Sequence, residues 1–264
     1  MEFCALASGS KGNSIYVGAE GRGVLVDAGL PGREIERRLW AAELDPVGVE
    51  AVVVTHEHRD HIAGVGVWAR RFGVPVYAAR AAWDAARAFL PPPTLRGVDV
   101  RFFEPDRSFA AAGLELTPVS TSHDAADSVG FRISDGNAVL GFATDLGFAS
   151  HLVREGLRGV TLLYLESNHD EDLLINGPYP WPLKQRIRSR HGHLSNADCA
   201  GLVSDLLHSG LKALVLGHLS ETNNTPRLAY DCAREALARH GAAGDVALLV
   251  ARQDRPGTVV RLGG

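Results

Sequence analysis

Three histidines fall within six residues, His56-Glu57-His58-Arg59-Asp60-His61, directly after the apolar run Val49 to Thr55. This juxtaposition constrains the fold more than any other feature of the chain. A β-branched run that ends in ligand-type residues reads as a buried strand delivering them onto the loop at its end. Alternate residues on an extended loop point the same way, so His56 and His58 can grip one ion. Asp60 and His61 lie further round the turn and can face a second ion beside it. Imidazole and carboxylate without thiolate suit Zn²⁺, Mn²⁺ or Fe²⁺, and open positions are what a catalytic site needs. A structural zinc would more often use four protein ligands, usually including Cys. The competing reading is a set of solvated polar loop residues.

The remainder of the chain alternates short β-branched runs with amphipathic stretches rich in Ala, Leu and Arg, an α/β pattern. Residues 14–17 and 24–27 form a hairpin about a Gly-rich turn, and 33–44 has the apolar spacing of a helix. After the histidine window, 62–72 reads as helix, 74–78 as strand and 79–90 as helix, ended by Pro91-Pro92-Pro93. The second half repeats the order. Residues 128–133 and 138–144 form a hairpin ending at Asp145, 148–157 is amphipathic, and 160–165 is a strand closing on Glu166-Ser167-Asn168-His169. A helix over 197–208 and a strand over 213–216 then deliver Gly217-His218. Two similar β-rich halves, each carrying ligand-type residues off strand ends, predict a four-layer αββα sandwich with pseudo-twofold symmetry. No boundary resembles a linker, so residues 1–264 are expected to form a single domain.

Composition narrows the function classes. The 264 residues are 45% hydrophobic and 22% charged, which argues against disorder. With 27 Lys plus Arg against 31 Asp plus Glu, the net charge of −4 excludes nucleic-acid binding by bulk charge and leaves room for a local basic patch. No apolar stretch approaches the roughly 18–20 residues of a membrane helix. The opening Met-Glu-Phe-Cys-Ala-Leu lacks a basic segment followed by an apolar one. Cys4, Cys199 and Cys232 are odd in number and widely spaced, and read as free thiols. Together these features predict a cytoplasmic protein.

The segment Val53-Val54-Thr55-His56-Glu57-His58-Arg59-Asp60-His61 resembles the signature of the metallo-β-lactamase superfamily. The resemblance extends in order along the chain. Asp27 in Leu25-Val26-Asp27-Ala28-Gly29 matches an early strand-end Asp that supports the ligands. His123 matches the third ligand of the first ion, Asp145 the bridging carboxylate, and His218 the last ligand of the second ion. The implied metal set is therefore His56, His58, His123, Asp145, Asp60, His61 and His218 around two divalent ions, Zn²⁺ or Mn²⁺, with Fe²⁺ as an alternative. The Cys ligand of true β-lactamases is absent, His58 stands where flavodiiron proteins carry Glu, and the length leaves no room for the inserted domain of β-CASP nucleases. The motifs at Ala7 to Ser14, Glu166 to Asp170, Gly192 to Asn196 and His218 to Asn224 resemble those of the YycJ (WalJ)-like group. That likeness implies a hydrolase acting on nucleic acid, DNA first, as a 5′-to-3′ exonuclease.

From this ligand set follows an expected mechanism. Two ions about 3.5–4 Å apart would hold a hydroxide between them, aided by Asp145, for attack on a phosphodiester. Asp60 could orient the nucleophile, and His193 or His169 could protonate the leaving oxygen. Lys184, Arg188 and Arg190, in the basic segment ending at His191, are either a phosphate grip or a solvated helix face. Tyr179 and Trp181, among prolines, could stack on bases or pack against the sheet. Asn13, in the Ser8 to Ser14 turn, and Asn223 are further candidates for substrate contact. His151, His208 and His240 read as structural. The alternatives are a small-molecule cyclic-phosphate phosphodiesterase, a glyoxalase II-like thioesterase and a metal-binding regulatory module. The tail after Asn224 looks too short for the thioesterase's helical substrate region, and a complete ligand set argues against a non-catalytic scaffold.

Overall fold

In Val24-Leu25-Val26 successive side chains point to opposite faces, and both faces are apolar. A strand of this kind must be covered on both sides. In the computed structural model, which describes residues 1–91 and 93–263, Val24 and Val26 pack between two sheets with Val53, Phe131 and Phe142. Leu25 packs outward with Ile35, Leu39 and Trp68.

The first half runs β1 (Glu2–Ala7), β2 (Ser14–Ala19), β3 (Arg22–Val26), α1 (Gly32–Ala41), β4 (Val49–Val53), α2 (Arg59–Ile62), α3 (Val65–Phe72), β5 (Val76–Ala79), α4 (Arg80–Phe89) and β6 (Val100–Phe103). The second runs β7 (Phe109–Ala111), β8 (Leu114–Ser120), β9 (Val129–Ser134), β10 (Val139–Ala143), α5 (His151–Gly156), β11 (Leu162–Glu166), α6 (Glu171–Asn176), α7 (Trp181–Ile187), α8 (Asn196–Leu206), β12 (Ala213–Gly217), α9 (Pro226–Arg239), β13 (Ala247–Val250) and β14 (Val260–Arg261). Two seven-stranded sheets result, ordered β14-β1-β2-β3-β4-β5-β6 and β13-β12-β11-β10-β9-β8-β7. Each has antiparallel strands followed by parallel ones, β3 to β6 in one and β10 to β13 in the other. A third apolar cluster, including Val153, Leu202 and Ala233, joins the second sheet to its outer helices. The expected αββα sandwich of two related halves is the architecture found.

Several boundaries differ from the sequence reading. The helix expected over 62–72 is split into α2 and α3 at Gly64. Its N–H donates to the Ala28 carbonyl at 2.7 Å, and a Cβ there would meet the Leu30 carbonyl at 2.0 Å. The stretch 148–157 shortens to α5, which starts where the Ser150 hydroxyl accepts the Val153 N–H. Near the end of the chain the two-residue β14 crosses back to pair with β1. Of the proline run expected to end α4, Pro92 lies outside the described residues. No described helix is long and apolar enough to cross a membrane.

Candidate metal centre

Loops at the carboxyl ends of β3, β4, β8, β10, β11 and β12 converge at one edge of the sandwich. Asp27, Asp145 and His218, each just beyond a strand, have left-handed backbones with φ of 61°, 53° and 53°. This conformation costs a non-glycine residue roughly 1–3 kcal/mol and persists only where the surroundings enforce it. The histidine loop is clamped from below: Asn13 N–H donates to the Asp60 carbonyl at 2.7 Å, and Gly29 N–H donates to the Asn13 carbonyl at 2.8 Å. A Cβ on Gly29 would lie 1.6 Å from the Asp60 oxygen, so only glycine permits this approach.

Ligand-type atoms within 4.8 Å of one another form four overlapping groups: His56, His58 and His123; His56, His61 and Asp145; Asp60, His61 and His218; and Asp145, Glu166, His193 and His218. Asp145 sits between them, its Oδ2 3.3 Å from His61 Nε2 and its Oδ1 3.8 Å from His123 Nε2 and 3.4 Å from His218 Nδ1.

Hydrogen bonds fix which nitrogen each imidazole presents. His61 Nδ1–H donates to Asp27 Oδ2 at 2.7 Å. The Thr55 hydroxyl donates its single proton to the same carboxylate, so at 2.9 Å from His56 Nδ1 it must accept from that ring. His123 Nδ1–H donates to the Gly192 carbonyl at 3.1 Å, and His218 Nδ1–H to Glu166 Oε1 at 2.9 Å. All four rings are thus anchored through Nδ1 and turn Nε2 into the cluster, the arrangement that orients histidines toward a metal. His56 Nε2 and His218 Nε2 are buried without a hydrogen-bond partner among the described residues.

The electrostatics agree. Burial holds His56 and His123 below the ordinary imidazole range, the uncharged form that binds a metal. Burial opposes protonation of His61 and His218 as well, yet the carboxylates outweigh it. Asp27, Asp145 and Asp60 raise His61 well above its usual value, and Asp145, Asp60 and Glu166 lift His218 to about 10. An oxygen-rich, negatively charged nest of this kind attracts cations, and the donor set of imidazole nitrogens and carboxylates suits divalent ions.

Glu166 is the residue of the cluster that sequence reasoning missed. It ends the wholly buried β11, and its side chain is 0% exposed. Oε1 accepts from His193 Nδ1 at 2.7 Å and from His218, while Oε2 accepts the backbone N–H of Leu146 at 2.9 Å and of Leu194. The available signal was an acidic residue closing an apolar strand, as Asp27 and Asp145 do.

The remaining candidates divide. Asn13 lies at the site but is committed: its Oδ1 accepts the Gly9 N–H, and its Nδ2 lies 3.0 Å from His61 Nε2 and 3.3 Å from Asp60 Oδ2. His193, 19% exposed, opens onto the adjoining pocket. His169 lies outside the four groups, 2% exposed, and burial pushes it down to about 4. Such a ring is neutral near pH 7, a poor proton donor. Asn223 is 0% exposed and turned inward against Gly177, so it offers a substrate nothing. Arg188 and Arg190 are exposed, Arg190 with its guanidinium 3.9 Å above the Phe148 ring. Lys184 is a correction. Its ammonium is turned inward and donates to the carbonyls of Ile175 and Gly177, each at 2.7 Å, tying α6 to α7. Lys184→Met therefore lowers unfolding stability by about 1.5–3 kcal/mol, the range for hydrogen bonds to a charged group. Urea denaturation checks this; unchanged stability with weakened DNA affinity would return Lys184 to the phosphate grip.

The chain can be set beside known proteins on this geometry. The sequence profile of the metallo-β-lactamase superfamily matches residues 7–184. The exodeoxyribonuclease YycJ of Bacillus anthracis is 37% identical over 243 residues, covering 91% of this chain and 90% of that protein. The exodeoxyribonuclease WalJ of Streptococcus pneumoniae is 35% identical over 230 residues, 87% of this chain and 86% of its own length. Among solved structures, the metallo-β-lactamase fold protein YhfI from Bacillus subtilis superposes with a TM-score of 0.72 at 17% identity, over 97% of this chain and 98% of that one, a likeness of fold.

Proposed function

The chain belongs to the metallo-β-lactamase superfamily of hydrolases, and on that premise we propose that it is a cytoplasmic exodeoxyribonuclease, a single unit over residues 1–264 that uses two divalent ions, Zn²⁺ or Mn²⁺. The observation that carries this reading is the convergence of Nδ1-anchored histidines around Asp145. The exodeoxyribonuclease relatives covering most of the chain support the substrate. His56, His58 and His123 would hold one ion and Asp60, His61 and His218 the other, with the Asp145 carboxylate between the two groups. When bound, such ions supply Lewis acidity to phosphoryl oxygens and lower the pKa of water.

The protein's own groups do the rest. Asp60, whose side chain is 26% exposed, accepts the hydrogen bond that orients the attacking water. Glu166 holds His193 by Nδ1 and raises its affinity for a proton against the effect of burial. The ring carries that proton at Nε2 to the leaving oxygen. His193 is preferred over His169 for this role because it is partly open to the pocket and Glu166 favours its protonated form, whereas burial disfavours that of His169. The exposed Arg188 and Arg190 are the cations offered to a phosphate backbone.

The test compares bis-p-nitrophenyl phosphate, end-labelled DNA and RNA, cyclic phosphodiesters and a glutathione thioester, each with Zn²⁺ or Mn²⁺. Stepwise release from DNA ends, stopped by chelator, is expected, with 5′-labelled product appearing first if digestion runs 5′ to 3′. Turnover of the small esters or the thioester alone would overturn the nuclease reading.

A further inference from the structure

Beside His193 a pocket of about 170 Å³ opens between α7 and the loops after β1, β11 and β12. One wall is aromatic and aliphatic: Tyr179, with Leu183 and Ile187, which share a face of α7 at i, i+4 spacing. The opposite wall is polar and uncharged, made by Ser10, Asn168 and Ser220. Asn168 commits its Nδ2 to the His218 carbonyl at 2.9 Å, which leaves its carboxamide oxygen as an acceptor. The Ser220 oxygen accepts the N–H groups of Thr222 and Asn223, so its own proton is free to donate. At the rim, Arg186 binds Asp124 through Nε and Nη2, and its Nη1 has no partner among the described residues.

An apolar wall together with neutral polar groups, Asn168 as acceptor and Ser220 as donor, matches a nucleobase, with one face for stacking and an edge of donors and acceptors. The cavity, about 170 Å³, is on the scale of one heteroaromatic ring system. Tyr179 lies between Pro178 and Pro180, whose fixed φ angles limit how far the ring can wander. Within the nuclease reading, on which this rests, we infer that the pocket receives the single unpaired nucleotide next to the scissile phosphate. Tyr179 is its stacking platform, and Arg186 contacts its phosphate. The terminal nucleotide must leave its partner strand to enter, so single-stranded ends are attacked faster than blunt duplex ends.

The experiment measures kcat/KM on 5′-tailed single-stranded DNA, blunt duplex DNA and bis-p-nitrophenyl phosphate for the wild type, Tyr179→Ala and Tyr179→Phe. Loss of the ring lowers the single-strand rate by about 5- to 150-fold. Bis-p-nitrophenyl phosphate turnover, which needs no base, is expected to hold, and Tyr179→Phe to restore DNA cleavage. Blunt ends cut as fast as single strands by the wild type would overturn the inference, as would Tyr179→Ala cleaving DNA normally or losing both substrates together. A wild type that hydrolyses bis-p-nitrophenyl phosphate but no DNA refutes the nuclease reading itself, and the pocket's assignment with it.

Discussion

Purified His58→Ala is expected to keep its fold while losing bound metal and catalysis together. The imidazole is half-buried, and its Nδ1 has a single neighbour within hydrogen-bond reach, His123 Nε2 at 3.3 Å. Its structural contribution comes from the backbone, whose carbonyl accepts the N–H groups of His61 and Ile62. The side chain makes no capping bond to α2. Truncation therefore removes a ligand from the group it forms with His56 and His123 and little else. If that ligand supports about 4 kcal/mol of transition-state stabilisation, phosphodiester turnover falls about 10³-fold. Metal content by elemental analysis, activity and the unfolding midpoint are measured on one preparation. Full activity with full metal occupancy would sink the ligand assignment.

Glu166→Gln is expected to be damaging too, by a smaller factor and for a different reason. One carboxylate oxygen takes two imidazole N–H groups and the other takes two backbone N–H groups. An amide has one acceptor end, so whichever pair meets the NH₂ faces donor to donor. Replacement of a partner that orients metal-site histidines lowers activity or metal affinity about 10- to 100-fold. The alanine variant, which strands these buried donors, loses about 3–5 kcal/mol of stability.

Two pH signatures distinguish this role from packing alone. Burial pushes Glu166 up, but His193 and His218 outweigh it and hold the carboxyl at about 2 instead of 4.5. A depressed folded pKa contributes stability that is present above 4.5 and is lost as pH falls toward 2; the glutamine variant lacks that slope. His193 is competent as an acid only while protonated, so the rate declines as pH rises through its pKa. Removing the Glu166 charge lowers that pKa and moves the alkaline limb of kcat to lower pH. An alkaline limb that stays in place would remove His193 from the proton-donor role.

Much of the centre was legible along the chain. The H-x-H-x-D-H window, Asp145 and His218 follow recognisable strands, and strand ends are where parallel strands under helices present side chains to a shared edge. The repeated hairpin, helix and strand order in the two halves likewise foretold the layered sandwich. The basic segment was harder to divide. Lys184, Arg186, Arg188 and Arg190 look alike in sequence, yet one is buried against carbonyls, one stands at the pocket rim, one is exposed and one lies on Phe148. Their fates depend on how α7 is rotated against α6 and the neighbouring loops.

Residue type and local spacing determined by themselves which strand ends carry ligand-type residues, because residue identity and β periodicity are properties of a few consecutive residues. Tertiary structure alone decided that Glu166 joins His193 to His218, that His169 is shut away, and that Tyr179 faces a cavity beside the histidines. Each of these depends on burial and on groups from separate strands and loops meeting within hydrogen-bonding distance, which no local pattern records.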